Sequence, residues 1–171
     1  MSNSGSFVSR ANRVRHKRLT TKAGYRRARR SGATIVESAL LLPVLTLTLF
    51  SMLDLGLAAM RYNALAEASR RIAREAIMHG SLAPETSSIW GPTAYSGTVA
   101  DTSDVVVPAR GMLPTMAETQ VSVQVTWPDS DNSPRDRVQV ELAYEHRSLV
   151  PGLFPWGPFD LRSVATMHIV N

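Results

Sequence analysis

RRSGATIVESALLLPVL, residues 29–45, decides the architecture: a block of arginines stops, a glycine follows, and a long apolar run opens around one acid, Glu37. From Ser38 to Leu53 no residue is charged. With residues 33–36 before it and 55–60 after it, the run is long enough to cross a bilayer. At about 1.5 Å per helical residue, roughly 20 residues match a hydrocarbon core of about 30 Å. A charge at mid-span costs about 2.5–3.5 kcal/mol on insertion scales. A span over residues 34–53 places Glu37 and Asp54 near opposite interfaces, where that cost shrinks. Pro43 removes one backbone donor and bends the helix, which membrane helices tolerate when neighbours satisfy the freed carbonyl.

The net charge of +5 hides an asymmetry. Residues 1–32 carry ten Lys and Arg and no acid, whereas the remaining chain carries nine basic residues against fourteen acidic, a net of −5. Positive charge directly before an apolar span holds that end in the cytoplasm. The same basic arm could release counterions from nucleic-acid phosphates, which is the weaker reading because the arm abuts the span. Two removal signals compete with a permanent anchor. A secretory cleavage site could be read at Ala64-Leu65-Ala66 or Ala66-Glu67-Ala68, inside a helical stretch, and a twin-arginine signal at Arg29-Arg30, before an apolar run too strong for one. The 171 residues include no cysteine, so neither a disulfide nor a thiolate metal site is available. Hydrophobic content of 44% and charged content of 19% fit one folded domain plus an anchor and argue against wholesale disorder.

Beyond Asp54 the helical period continues to about His79. Ala58, Leu65, Ala68, Ile72 and Ala76 form one narrow face, and Arg61 lies two turns after Asp54 on the same side. The small residues permit close packing, either on the chain's own sheet or on a partner helix. Glu67–Arg71 and Arg71–Glu75 have the spacing of i,i+4 ion pairs. Gly80 is expected as a left-handed cap, with His79 at the negative end of the helix dipole.

Residues 80–118, rich in Ser, Thr, Gly, Pro and Ala, read as an irregular linker with a short strand over Val105–Val107. The period then changes to two. Val121, Val123, Val125 and Trp127 alternate with polar residues, as do Val138, Val140, Leu142 and Tyr144, and a third strand is expected over residues 161–170. The predicted class is α+β: a long N-terminal transmembrane helix extending into a small antiparallel β-sheet domain. Four segments follow: a basic cytoplasmic leader (1–32), the transmembrane and extended amphipathic helix (33–79), the linker (80–118) and a β-rich extracytoplasmic domain (119–171).

Nothing in the chain carries a recognisable catalytic constellation, so no enzyme activity, catalytic residue, cofactor or metal is expected. His16, His79, His146 and His168 lack metal-ligand spacing, and each is read as exposed or satisfied. Asp129-Ser130-Asp131-Asn132 lacks the glycine and terminal glutamate of a calcium loop and reads as a polar hairpin connection. PGLFPWGPF, residues 151–159, either closes over the sheet or offers Phe154, Trp156 and Phe159 to a partner or the membrane surface.

In their order and spacing, Gly32-Ala33-Thr34-Ile35-Val36-Glu37, the Leu41-Leu42-Pro43 step, Phe50 to Gly56 with Asp54, Asn63-Ala64-Leu65, and Ala68 to Arg74 resemble the TadE-like family. These are small membrane proteins of the tight-adherence (Flp-type) pilus assembly system. Here Ser38 stands where an aromatic is frequent, Asp54 where a glutamate is more usual, and the basic leader is long. The resemblance implies a pseudopilin-like role. A prepilin-type peptidase would cut between Gly32 and Ala33, leaving Glu37 as the fifth mature residue, kept for contacts with other pilus-assembly or pilin subunits. Gly32 offers unhindered backbone access, and a carboxylate in lipid needs a cation, which a neighbouring subunit's freed α-amine can supply. Otherwise Gly32 starts the helix and Glu37 reaches to the interface. The expected protein is a single-pass component of the inner (cytoplasmic) membrane, in a homo- or hetero-oligomer, with its C-terminal domain periplasmic. Its rivals are an uncleaved membrane-anchored periplasmic domain unrelated to pili, and a nucleic-acid arm on a membrane tether.

Overall fold

The computed structural model describes residues 27–152 and 157–170, and the chain divides into two compact units, one ending at Leu42 and one running from Pro43. Helix α1 covers Arg27–Ala76 and contains Pro43. It is long and apolar enough to cross a membrane. In the first unit every residue from Gly32 to Leu42 is exposed, and most are apolar. Such a surface suits lipid, which satisfies it without a protein partner.

In the second unit α1 changes character. Ala58, Leu65, Ala68, Ile72, Ala73 and Ala76 are buried, in steps of three and four that keep one stripe on one side of the helix. The stripe belongs to the core of a four-stranded antiparallel sheet, in the order β1 (Tyr95–Thr98), β2 (Val121–Thr126), β3 (Arg137–His146) and β4 (Phe159–His168). The small side chains therefore pack on the chain's own sheet, the first of the two alternatives. Val121, Val123 and Val125 of β2, Val138, Val140 and Leu142 of β3, and Ala165 of β4 face the helix. Each fully buried Leu, Ile or Val contributes about 1.5–3 kcal/mol. Ser69 Oγ lies 3.1 Å from Ser163 Oγ, a buried pair that bonds the helix to β4. At the far end Val170 N–H donates to Ile77 O at 3.2 Å.

Four expectations are corrected. Residues 80–118 are no mere linker: they supply edge strand β1 and the core residues Val99, Val106, Leu113 and Met116. The Val105–Val107 strand is instead part of a 3-10 helix, Asp104–Ala109, whose Ser103 side chain caps Val105 N–H and whose Pro108 cannot donate to a ladder. Gly80 has no positive φ. The helix ends at Ala76 in tight turns, Met78 N–H to Glu75 O and His79 N–H to Ala76 O. Nor does Arg71 form an ion pair with Glu67 or Glu75; among the described residues Glu75 faces His79 at 3.6 Å. Exposed pairs of this kind contribute little, so rotamer entropy decides against them.

The Asp129–Asn132 stretch is a hairpin connection between β2 and β3. Asp129 accepts from the backbone N–H and guanidinium of Arg137, and Asp131 from Asn132 N–H and Ser133 Oγ. These contacts occupy the carboxylates, and Arg137 holds Asp129 down to about 2.

Gly91 adopts φ +85°, and a Cβ there would fall 2.3 Å from the Trp127 ring. Both the backbone and the ring oppose a side chain. Gly91→Ala is expected to cost at least about 2 kcal/mol, read as a lower urea midpoint of the detergent-solubilised full chain.

Candidate functional site

Where α1 meets the sheet, two titratable side chains are buried beside the start of the apolar stripe. Asp54 is 1% exposed and His146 0% exposed, although both side chains are polar. Asp54 comes from α1 and His146 from the last position of β3. The strand's alternation explains the second: Val138, Val140, Leu142 and Tyr144 face the core, and the next step of two is His146. Of the two states expected, satisfied or exposed, burial removes the exposed one, and Nδ1 is satisfied by Arg61. The signal was present in the period and was lost only by ending the strand at Tyr144.

Asp54 Oδ1 accepts from Leu149 N–H at 2.9 Å and lies 3.6 Å from His146 Nε2. On the other side of the ring, Arg61 Nη1 lies 3.0 Å from His146 Nδ1. Guanidinium has only donors, so Nδ1 must accept, and the neutral ring carries its proton on Nε2, toward Asp54. Arg61 Nε and Nη2 also donate to Thr115 Oγ1 and Thr115 O, at 3.1 and 2.9 Å. Thr115 holds φ 65°, an uncommon conformation for a β-branched residue, and the two bonds from Arg61 help to hold it there. The Arg61 guanidinium carbon lies 5.3 Å from the Tyr144 ring centroid, and Phe159 lies against His146 at 4.9 Å between ring centroids.

This cluster ties four chain segments to α1: β3, the loop holding Thr115, the loop after β3, and the start of β4. It is built as a joint and not as an acid–base centre. Both nitrogens of the imidazole face inward, one to Arg61 and one to Asp54, and the ring is closed to solvent. Asp54 Oδ2 and His146 Nε2 are buried without a hydrogen-bond partner among the described residues. No group of three or more His, Asp or Glu able to hold a metal occurs among those residues.

The joint has a pH dependence. Burial pushes His146 below the ordinary imidazole value, the charge of Arg61 adds to this, and Asp54 opposes both. Unfolded histidine titrates near about 6.5, so between the two values the unfolded chain binds more protons. The stability His146 contributes is complete above about pH 6.5 and is lost as pH falls from there through the lower folded value. Urea unfolding of the full chain in detergent is expected to show a lower midpoint at about pH 5.5 than at about pH 7.5. His146→Gln should flatten that difference.

The remaining residues singled out in the sequence lie elsewhere. Gly32, Ala33 and Glu37 are exposed on α1, in the first unit. A Cβ at Gly32 would meet nothing within 4 Å. Helix α1 begins at Arg27, five residues before Gly32, so this glycine is not a helix start. Pro43 lies inside α1, and Phe154 and Trp156 are outside the described residues. Asp54 and Arg61 are brought together through His146; Leu149 joins them through its backbone N–H, and Thr115 through its hydroxyl and its carbonyl.

The model of the family described as TadE-like protein matches residues 32–74, so the helix carries a TadE-like segment, from Gly32 to Arg74. No curated protein and no solved structure matches the chain.

Proposed function

We propose that this chain, with its TadE-like helix, is a pseudopilin-like component of tight-adherence (Flp/type IV-related) pilus biogenesis, made as a precursor and cut between Gly32 and Ala33. The observation that carries the reading is the match over residues 32–74, which opens on that glycine and includes Glu37. Helix α1 anchors the chain in the inner membrane, with the basic leader in the cytoplasm and the sheet domain outside. A prepilin-type peptidase must open the helix at the scissile bond. Glycine lowers that cost by about 1 kcal/mol relative to alanine, and it leaves the backbone unshielded. After the cut, Glu37 meets the α-amine of a neighbouring subunit within the membrane, and the sheet domain makes the contacts outside. The Asp54–His146–Arg61 joint holds that domain to its anchor.

Mass spectrometry of the protein extracted from membranes of a strain with an intact pilus system tests this directly. The expected mature chain begins at Ala33. A chain beginning near Met1 would count against processing and favour an uncleaved, membrane-anchored periplasmic domain.

A further inference from the structure

Asp54 sits inside a stretch that otherwise suits lipid. From Pro43 to Met60 no exposed residue of α1 is charged, and the neighbours of Asp54, Leu53 and Leu55, are 53% and 57% exposed. What removes Asp54 from that environment is the connection between β3 and β4. One flank of the connection donates Leu149 N–H to Asp54 Oδ1 at 2.9 Å. The other flank begins β4 with Phe159, whose ring centroid is 4.9 Å from that of His146, itself 3.6 Å from Asp54. Both ends of the connection are therefore pinned at the level of Asp54.

The described part of the connection is apolar and outward. Leu149 is 54% exposed although its backbone is held by Asp54, and Pro151 is exposed beside it. From Ser148 to Phe159 the sequence has no charged residue, whereas Arg147 and Asp160 border it. An uncharged apolar stretch that leaves a folded domain beside an exposed apolar helix has one continuous apolar surface with it. Arg147 at its edge is exposed and pairs with Glu145 at 3.0 Å.

We infer that the start of the β3–β4 connection, Leu149 to Pro151, docks on the lipid surface at the outer end of the span, in the boundary between headgroups and acyl chains. The inference rests on the membrane-spanning reading of α1. The occupant is lipid because the surface continues the lipid-facing side of the helix. Docking gives the domain a second attachment to the bilayer, which limits its tilt and rotation about α1.

The absence of cysteine makes the test clean. Single cysteines are introduced in the full chain as Leu149→Cys, Pro151→Cys, Leu45→Cys in the span and Gln124→Cys on the outer face of the sheet. Each carries a fluorescent label after reconstitution into phosphatidylethanolamine–phosphatidylglycerol vesicles. Leu149 uses only its backbone in the joint, so its replacement leaves the fold intact. Quenching by nitroxides on the lipid near the headgroup is compared with quenching by iodide on both sides of the membrane. Labels at 149 and 151 are expected to be quenched several-fold more by lipid, and several-fold less by iodide, than the label at 124. If they match the label at 124 while that at 45 is quenched by lipid, docking is wrong and the span stands. If the label at 45 is open to iodide, the span fails and docking with it. Shielding of 149 and 151 from both quenchers would show a protein contact, such as a second copy, and would overturn lipid as the occupant.

Discussion

Asp54→Ala is expected to lower the stability of the sheet domain by roughly 1–3 kcal/mol, the scale of leaving a buried donor without its acceptor. The loss has identifiable parts. Leu149 N–H is left without its acceptor, and the Nε2 proton of His146 faces an apolar gap. Asp54→Asn separates shape from charge. Its amide oxygen can still accept from Leu149 N–H, so its cost is expected near about 1–2 kcal/mol, that of weakening charge-assisted bonds. Urea unfolding of the full chain in detergent micelles, followed by tryptophan fluorescence, measures both. An alanine variant as stable as the parent would show that the carboxylate contributes nothing to the joint.

Glu37→Ala is expected to reduce surface piliation at least tenfold while leaving the protein in the membrane. Removing a carboxylate from an apolar span makes insertion easier, by up to about 2.5–3.5 kcal/mol at mid-span. Any defect must therefore come from lost contact with another subunit. Glu37 is exposed on α1, as a side chain reserved for an external partner must be. Counting pili by electron microscopy, alongside carbonate extraction of membranes, separates assembly from insertion. Normal piliation in the mutant would remove the assembly role proposed for the acid.

The long apolar helix, its buried face and three of the four strands were legible because each repeats a strong period. Leu65, Ala68, Ile72 and Ala76 recur at helical steps, and the valines of β2 and β3 alternate without interruption. Strand β1 was not legible. Its four residues, YSGT, include a glycine and two small polar residues, and pairing with β2 makes it a strand. The Val105–Val107 run misled for the opposite reason, since β-branched residues suggest a strand wherever they cluster. There Ser103 and Pro108 set the local geometry. In the joint, Asp54 and Arg61 could be placed on one helix face by counting. Their meeting at His146 required the pairing of distant segments, and the backbone N–H of Leu149 and carbonyl of Thr115 are groups that no residue pattern encodes.

The stripe-bearing half of α1 is fastened near both ends, to Leu149 through Asp54 and to Val170 through the carbonyl of Ile77. These fastenings are 23 residues apart, about 34 Å of helix at ~1.5 Å per residue, with the buried stripe between them. A pull along the helix loads that stripe in shear along its whole length. It does not peel the helix from the sheet one contact at a time, because peeling must first break a fastening at one end. The arrangement makes the junction between anchor and domain stiff against axial force.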